Sequence, residues 1–515
     1  MSGSTQRTIA RNTLTNSLGF VVAFGANLVI LPFIVHSLGQ DVYGGIWTIV
    51  GPLTATLGLL DLGTGTAFVK YISEYHTHGD RHSLSELVNT GMLMYVVVGV
   101  VLLGIAWFSG EALLAALGVT AALLPDGVFV FRIGVLIFVL ANILSPLSMV
   151  LTGIQRMDLN AYIMIGGQLV NVCGTVLVLG MGWGVRGLIL NSLVVLTCTA
   201  LTQCFMGLRL VPGIRFGGVY ARWEMVRRFL RFGLNLQASK LAQVILFQSD
   251  RLVSLRMFGT VTAAYYDVGA KLCSAGRSMA FLTVSALIPA ASELDARQDR
   301  ERLLLLYHRA SKYTGIAAST LFAFIGFFAD DIMKAWMGPE FLDSVPIVVA
   351  LAAGYFFNIS TGVASALAAG MGRTDFEGKY GVFAAIVNLP LSIGLGLALG
   401  PIGIAIGTSL TLLLGGIYFL YQIHRFLGRP RRTVIESLIK PLSASLVAGG
   451  VTLVLRNLVF GDPVGRGDAL LALTCALLVF LLLDGVLLRA SGAFGSEDFR
   501  ILRGLLVRTP NETPA

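Results

Sequence analysis

The segment Gly-Ile-Gln-Arg-Met-Asp at residues 153–158 joins two long apolar runs, and Gly-Met-Gly-Arg-Thr-Asp at residues 370–375 joins two more. In both copies an asparagine follows the aspartate after thirteen residues, and the copies lie 217 residues apart. The shared positions are Gly153, Arg156, Asp158 and Asn171 in the first copy and Gly370, Arg373, Asp375 and Asn388 in the second. Four identities at fixed spacing indicate an internal duplication, a common feature of membrane transporters.

The duplication extends toward the start of the chain. Leu-Gly at 38–39 matches Phe-Gly at 258–259 at an offset of 220 residues, so a short insertion or deletion separates the two offsets. The apolar runs between these markers predict two six-helix lobes, 1–210 and 229–428, joined by a basic linker at 211–228. Because six is even, the lobes have the same orientation and are related by a pseudo-twofold axis along the membrane normal. Chance similarity between glycine-rich helices is the alternative.

The composition is that of a membrane protein. Of 515 residues, 55% are apolar and 13% are charged, about half of the roughly 25% charge that is typical of soluble domains. Apolar runs longer than about 18 residues recur along the chain, and each is long enough to cross a hydrocarbon core of about 30 Å as a helix. The 60 glycines suit close contacts between such helices. The expected fold class is therefore an all-α, polytopic membrane protein.

Fourteen transmembrane helices are predicted, six in each lobe and two after them. Their boundaries are 14–35, 45–70, 88–108, 128–153, 161–182, 187–207, 229–249, 262–290, 309–328, 344–370, 380–399, 401–422, 436–458 and 468–489. Residues 429–515 thus contain helices thirteen and fourteen and a cytoplasmic tail. The even number of helices places both termini on the same side.

The distribution of lysine and arginine gives the orientation, because these residues stay preferentially in cytoplasmic loops. Of the 37, the loops and adjoining helix ends on the side of the termini hold 27, those on the opposite side hold six, and four fall deeper inside predicted helices. Both termini are therefore predicted to be cytoplasmic. The net charge of +9 follows mostly from this topology, so nucleic-acid binding is not indicated.

Ionisable residues inside predicted helices are functional hypotheses, because each costs at least about 2.5 kcal/mol at bilayer depth. We expect the four cations to line a cavity for an anionic head group, since arginine offers phosphate a bidentate fork and lysine a point charge. These cations are Arg132, Lys240, Lys271 and Arg277. Asp61 and Asp267 are candidates for ion coupling, or for internal pairing with Arg132 and Lys271. Snorkelling to water is the expected explanation for charges near helix ends, namely Lys70, Asp250 and Arg251.

The sequence lacks the motifs typical of ATP binding, metal binding and sugar-transfer catalysis. The phosphate-binding pattern Gly-x-x-x-x-Gly-Lys-Ser/Thr is absent, so ATP is not expected as the direct energy source. The five cysteines lie in apolar runs without a Cys-x-x-Cys pair, so neither a metal site nor a disulfide framework is predicted. The longest outer loop, about 109–127, is too short for a catalytic domain, and no Asp-x-Asp occurs. We expect neither enzymatic activity nor a cofactor.

Short motifs carry a family resemblance. Leu-Gly-Gln-Asp-Val-Tyr-Gly at 38–44 is followed by Asp-Leu-Gly at 61–63, and Gly-Trp-Gly-x-x-Gly occupies 182–187. With these motifs and the two Gly-x-x-Arg-x-Asp loops, the chain resembles the polysaccharide flippases, the Wzx type of the multidrug/oligosaccharidyl-lipid/polysaccharide exporter superfamily. The likeness covers nearly the whole chain, and its motifs are structural rather than catalytic.

The resemblance implies a bacterial inner-membrane protein that moves an undecaprenyl-diphosphate-linked oligosaccharide from the cytoplasmic to the outer leaflet by alternating access. The polysaccharide exported would be O-antigen for lipopolysaccharide, capsule or exopolysaccharide. The implied partners are the lipid-linked oligosaccharide, the bilayer, and a polysaccharide polymerase and export proteins in the same pathway. We expect the protein to function as a monomer.

Two classes of transporter with a related mechanism are the main alternatives. An ion-coupled multidrug antiporter shares the lobes but usually ends after twelve helices and carries a carboxylate in its first helix, whereas residues 14–35 contain no aspartate or glutamate. A lipid II flippase agrees with fourteen helices but not with the opening motifs. A membrane glycosyltransferase or polymerase would need a large outer loop with catalytic residues.

Overall fold

The computed structural model describes residues 25–59, 64–285, 287–428, 435–463, 465–495 and Asp498. The helices in this part of the chain are α1 (Gly25–Leu38), α2 (Thr48–Gly58), α3 (Thr64–Thr77), α4 (Arg81–Ala116), α5 (Leu124–Gly153), α6 (Met157–Gly180), α7 (Gly184–Leu210), α8 (Trp223–Phe258), α9 (Thr260–Ser285), α10 (Leu287–Ala296), α11 (Arg300–Phe327), α12 (Ala329–Trp336), α13 (Val345–Gly370), α14 (Thr374–Leu399), α15 (Pro401–Leu427), α16 (Lys440–Phe460) and α17 (Arg466–Ala490). Shorter helical pieces are Gln40–Val42, the π-helical turns Tyr43–Trp47 and Ile435–Ile439, and the 3₁₀ turns Gly218–Tyr220 and Pro339–Ser344.

Nine helices within the described ranges are long and apolar enough to cross a membrane: α4, α5, α6, α7, α13, α14, α15, α16 and α17. A tenth results if α11 and α12, which meet at 72°, form one broken span. Apart from one or two residues at span ends, the described part of each predicted span is helical, so the all-helical membrane fold is confirmed. The count of fourteen crossings stays a prediction, and part of the first two predicted spans lies outside the described residues.

Several helices are longer than their predicted apolar parts. The third predicted span, 88–108, is the middle of α4, whose 36 residues correspond to about 54 Å at 1.5 Å per residue. Hydropathy marks only the part of a helix that lies in lipid, whereas backbone hydrogen bonding continues through polar turns. The seventh span, predicted at 229–249, is likewise the middle of α8.

The two Gly-x-x-Arg-x-Asp loops have the same local structure. Each follows the last turn of a helix, and each contains a residue with left-handed φ, 61° at Gln155 and 71° at Gly372. In each loop the arginine Nε donates to the aspartate two residues later at 3.0 Å. The repeated sequence thus encodes a repeated chain turn.

The structure adds a matched pair of helix starts that the sequence comparison did not include. Asp80 caps α4 by accepting a hydrogen bond from the Ser83 backbone N–H at 3.0 Å. Asp299, 219 residues later, caps α11 by accepting from the Arg302 N–H at 3.1 Å. A side-chain oxygen at this position satisfies one of the N–H groups that a helix start leaves without a partner.

The chain forms two compact units. The first contains the residues up to Val268 together with Ala385–Ile393, and the second contains Gly269–Ala384 and the residues from Gly394 onward. In the first, α5 packs against α4 and α7; in the second, α13 packs against α11 and α15. Glycines permit close approach in both units, since a Cβ would be 2.4 Å from Val139 Cγ1 at Gly99 and 2.5 Å from Ser409 Oγ at Gly354. The predicted lobes, 1–210 and 229–428, are a division by sequence repeat and stay a prediction.

The backbone of the predicted basic linker, 211–228, is hydrogen-bonded to side chains of α4. The N–H groups of the linker donate to polar side chains on one face of α4: Arg215 to Ser85 Oγ at 3.0 Å, Gly217 to Asn89 Oδ1 at 2.9 Å and Arg222 to Thr90 Oγ1 at 2.9 Å. These side chains replace the partners that an irregular backbone lacks.

Candidate functional site

The residues after the two matched glycines pack directly on each other. Gly39 and Gly259 both follow a helix and have left-handed φ values of 77° and 86°. Beyond them, a Cβ at Gly44 would lie 1.8 Å from the Thr260 carbonyl oxygen, so only glycine fits at this position. Thr260 Oγ1 also donates to Asp41 Oδ1 at 2.6 Å.

The centre of this contact is a buried ion pair. We call the contact of residues 40–51 with 248–267 the outer crossing, because the predicted topology places it near the outer membrane surface. Arg251 Nε lies 2.7 Å from Asp267 Oδ1, and the side chains are 11% and 2% exposed. Tyr43 Oη donates to Asp267 Oδ2 at 2.5 Å. Both carboxylate oxygens are therefore occupied, which offsets the cost of taking the charge out of water.

A second acidic residue is buried beside this pair. Tyr266 Oη donates to Asp250 Oδ2 at 2.7 Å, and Asp250 is 3% exposed. The expectation that Asp250 and Arg251 snorkel to water is wrong. The reason is that α8 continues to Phe258, so both residues lie within a packed helix rather than at its end.

Asp267 finds its cation on another helix. Pairing with Lys271, one turn along the same helix, was one of two expectations, and the contact observed is with Arg251. Lys271 itself is half-buried. Asp61, the other candidate for ion coupling, lies outside the described residues.

Arg132 contacts a residue of the neighbouring helix α4. Its guanidinium donates to the Trp107 carbonyl oxygen at 2.7 Å and lies 4.2 Å from the centre of the indole ring. Stacking on an aromatic face adds a cation–π contact.

The other predicted cavity cations are half-buried in two different units. Arg277 Nε donates to Asn358 Oδ1 at 2.8 Å, which joins α9 to α13 within the second unit. Lys271 belongs to the same unit, whereas Lys240 on α8 belongs to the first. The convergence of these cations in one cavity stays a prediction.

One in-membrane charge was missed by the sequence reasoning. Asp484 lies within the predicted span 468–489 and is 2% exposed. It accepts hydrogen bonds from Ser445 Oγ at 2.8 Å and Thr320 Oγ1 at 2.6 Å, which joins α17 to α16 and α11. A lone aspartate in an apolar run was the available signal. Within the described ranges, no group of three histidine, cysteine, aspartate or glutamate side chains is placed to hold a metal ion.

Known proteins of similar fold are membrane transporters. The structure of the lipid II flippase MurJ in an inward closed conformation matches with a TM-score of 0.70 and 14% identity, covering 93% of this chain and 99% of MurJ. An inward-facing multidrug resistance transporter of the MATE family, of the MOP superfamily, matches with a TM-score of 0.65 and 17% identity, covering 81% of this chain and 94% of the transporter. These likenesses establish the fold.

Sequence comparison identifies the family. EpsK, an uncharacterised membrane protein of Bacillus subtilis, is 20% identical over 456 residues, which are 85% of this chain and 87% of EpsK. The polysaccharide biosynthesis protein family matches residues 9–295, more than half of the chain. The resemblance to polysaccharide exporters is thereby confirmed, and the chain belongs to the polysaccharide biosynthesis protein family.

Proposed function

We propose that the protein is a flippase that moves an undecaprenyl-diphosphate-linked oligosaccharide from the cytoplasmic to the outer leaflet of the bacterial inner membrane. Membership of the polysaccharide biosynthesis family carries the proposal. Both termini are cytoplasmic in this proposal, and the protein acts as a monomer beside a polymerase and export proteins. The product is O-antigen, capsule or exopolysaccharide.

Cationic residues support a diphosphate substrate. Lys240, Lys271 and Arg277 lie in predicted spans and are half-buried, where a charge is costly unless it serves a ligand or a structural partner. Arg277 already donates through Nε to Asn358, which orients its planar group. A planar guanidinium offers a fork of N–H donors that matches phosphate oxygens.

Alternating access requires the outer crossing to open. Gly44 lies against the Thr260 backbone, and Asp267 bonds both Arg251 and Tyr43, so opening must replace these contacts with water or substrate. The internal ion pair favours a structural role for Asp267 over ion coupling. The membrane potential is a sufficient driving force, since moving two negative charges outward across 100 mV gains roughly 4 to 5 kcal/mol.

The test is the leaflet distribution of the lipid-linked oligosaccharide in cells that lack the protein. We expect the intermediate to accumulate in the cytoplasmic leaflet, wild type to clear it, and Lys240→Ala plus Arg277→Ala not to clear it. Lys70→Ala plus Arg186→Ala is the matched control, because it removes the same charges at predicted helix ends. An unchanged distribution without the protein would contradict the proposal.

A lipid II flippase is the second candidate, favoured by the fold shared with MurJ. Measuring lipid II in the same cells distinguishes the two substrates. Accumulation of lipid II alone in the inner leaflet would replace the proposed substrate, whereas accumulation of the oligosaccharide intermediate alone retains it. Export of a cationic dye that depends on the protein would instead favour an ion-coupled multidrug antiporter.

A further inference from the structure

A polar cavity of about 570 Å³ lies within the first unit, between α5, α6 and α7. Its lining includes hydroxyl and amide side chains from all three helices, namely Ser145, Ser148, Asn160, Asn171, Thr199 and Gln203. The volume falls within the range of about 300 to 1,000 Å³ that is usual for small-molecule sites. Polar side chains are costly in a membrane helix unless they find partners, so a cluster of them at predicted membrane depth calls for a function.

Among the described residues that line the cavity, no side chain is charged. Residues 133–155, 159–185 and 187–208 contain no aspartate, glutamate, lysine, arginine or histidine. A diphosphate would find no cation here, and a cationic drug would find no carboxylate. The chemistry of the lining therefore selects a neutral ligand that has many hydroxyl groups.

The cavity side chains are ordered by hydrogen bonds that leave further capacity. Gln203 Nε2 donates to Asn160 Oδ1 at 2.7 Å between α7 and α6, which uses one of the two N–H groups of the glutamine. Ser145 and Thr199 donate their hydroxyl protons to backbone carbonyls of their own helices at 2.9 and 2.8 Å. A hydroxyl that donates in this way keeps its oxygen as an acceptor for a ligand hydroxyl.

We propose that this cavity binds neutral sugar residues of the transported oligosaccharide. The proposal rests on the proposed function and adds to it a second subsite, separate from the cations that face the diphosphate. Sugar hydroxyls donate to the serine and threonine oxygens and exchange hydrogen bonds with the amide groups, while Met149 and Met164 provide apolar surface for the C–H faces of the ring. In this proposal, cationic side chains recognise the diphosphate of the substrate, and the hydroxyl and amide side chains of the cavity recognise its sugars.

Binding to the purified full-length protein in nanodiscs tests the subsite. The probes are the lipid-linked oligosaccharide from the host strain, sugar-free undecaprenyl diphosphate, and the free oligosaccharide released from the first by mild acid. The variants are Asn160→Leu plus Gln203→Met, which removes the amide pair, and Ser145→Ala plus Thr199→Val, which removes two hydroxyls with little change of shape. Asn142→Leu is the matched control, because it removes an amide of α5 that is not among the cavity lining and that donates to the Phe138 carbonyl oxygen of its own helix.

We expect wild type to bind the lipid-linked oligosaccharide at least tenfold more tightly than undecaprenyl diphosphate. Both double variants should lose this difference but retain their affinity for undecaprenyl diphosphate. The control retains both affinities. Variants that keep the tenfold difference, or a wild type without preference for the sugar-bearing lipid, would overturn the subsite. Binding of the free oligosaccharide alone, sensitive to the cavity variants, would support the subsite and contradict the proposed flippase substrate, whereas binding of none of the probes would overturn both.

Discussion

The two copies of the Gly-x-x-Arg-x-Asp loop share a backbone but differ in their surroundings. In the first, the Asp158 side chain is 13% exposed, whereas in the second the Asp375 side chain is 45% exposed. Arg373 additionally lies 4.5 Å from the ring centre of Phe426, on a helix distant in sequence. The same short sequence therefore forms the same turn in both places. The contribution of its ion pair to the free energy of unfolding is expected to differ between them.

This difference distinguishes interactions within the loop from interactions with the helices packed around it. The loop conformation depends on hydrogen bonds within a few residues, which any copy of the motif can form. Burial of the same carboxylate depends on the helices packed around it, and these differ between the copies. Burial, rather than the presence of an ion pair, should therefore set the cost of removing each charge.

The buried ion pair at the outer crossing gives the largest expected effect. Asp267→Ala leaves the Arg251 charge buried without the carboxylate, and we expect the free energy of unfolding in detergent to fall by about 3 to 5 kcal/mol. Tyr43→Phe, which removes one hydrogen bond to the charged carboxylate, is expected to cost about 1.5 to 3 kcal/mol. If Asp267→Ala were no more destabilising than Asp375→Ala, burial would not be the deciding factor.

The glycines that begin the two loops give the next largest effect. A Cβ at Gly370 would meet the Ile288 carbonyl oxygen at 2.8 Å and Ala291 Cβ at 2.6 Å, whereas at Gly153 it would meet the side chain of Ile72 at 2.5 Å. Since backbone moves less readily than a side chain, Gly370→Ala should cost more than Gly153→Ala, within the roughly 1 to 3 kcal/mol usual for overpacking. Thermal unfolding of both variants measures the order, and the reverse order would show that Ile72 cannot move aside.

The aspartates of the two loops provide the direct comparison. Asp158→Ala removes a largely buried partner of Arg156 and should destabilise the protein by about 1.5 to 3 kcal/mol, the usual value of a hydrogen bond to a charged group. Asp375→Ala removes a half-exposed partner, and we expect little measurable change. Chemical unfolding of the two variants beside wild type checks this. Equal losses would mean that the loop turn itself, present in both copies, requires the aspartate.

The helix caps give the smallest effect and a pH dependence. Hydrogen bonds from the Ser83 side chain and backbone lower the pKa of Asp80. A lowered pKa in the folded state means that the cap stabilises α4 above the ordinary carboxyl pKa of about 3.9 and loses this contribution as the pH falls through the lowered value. Asp80→Ala should therefore reduce the melting temperature slightly at neutral pH, and the difference from wild type should vanish in acid. If the difference in melting temperature between Asp80→Ala and wild type persisted in acid, the cap would stabilise the helix through a hydrogen bond that does not require a charged carboxylate.

Much of the site was beyond the reach of sequence reasoning. The apolar runs located the helical segments, and the spacing of Arg156 and Asp158 located a loop that recurs at Arg373. The partners of Asp267 were not predictable, because Tyr43 lies 224 residues away and Arg251 was assigned to a helix end. The polar cavity was missed because serine, threonine and glutamine side chains are unremarkable in each helix alone.

By itself, the sequence determined the membrane class of the protein, its helical character, its internal repeat and its family, because hydropathy and backbone hydrogen bonding act over short stretches of chain. Only the tertiary structure decided which charges are buried together at the outer crossing, how differently the two copies of one loop are enclosed, and that the polar groups of α5, α6 and α7 face one cavity. These features depend on which helices pack together. That packing is set by the shape of whole helix faces and not by residues that are neighbours in sequence.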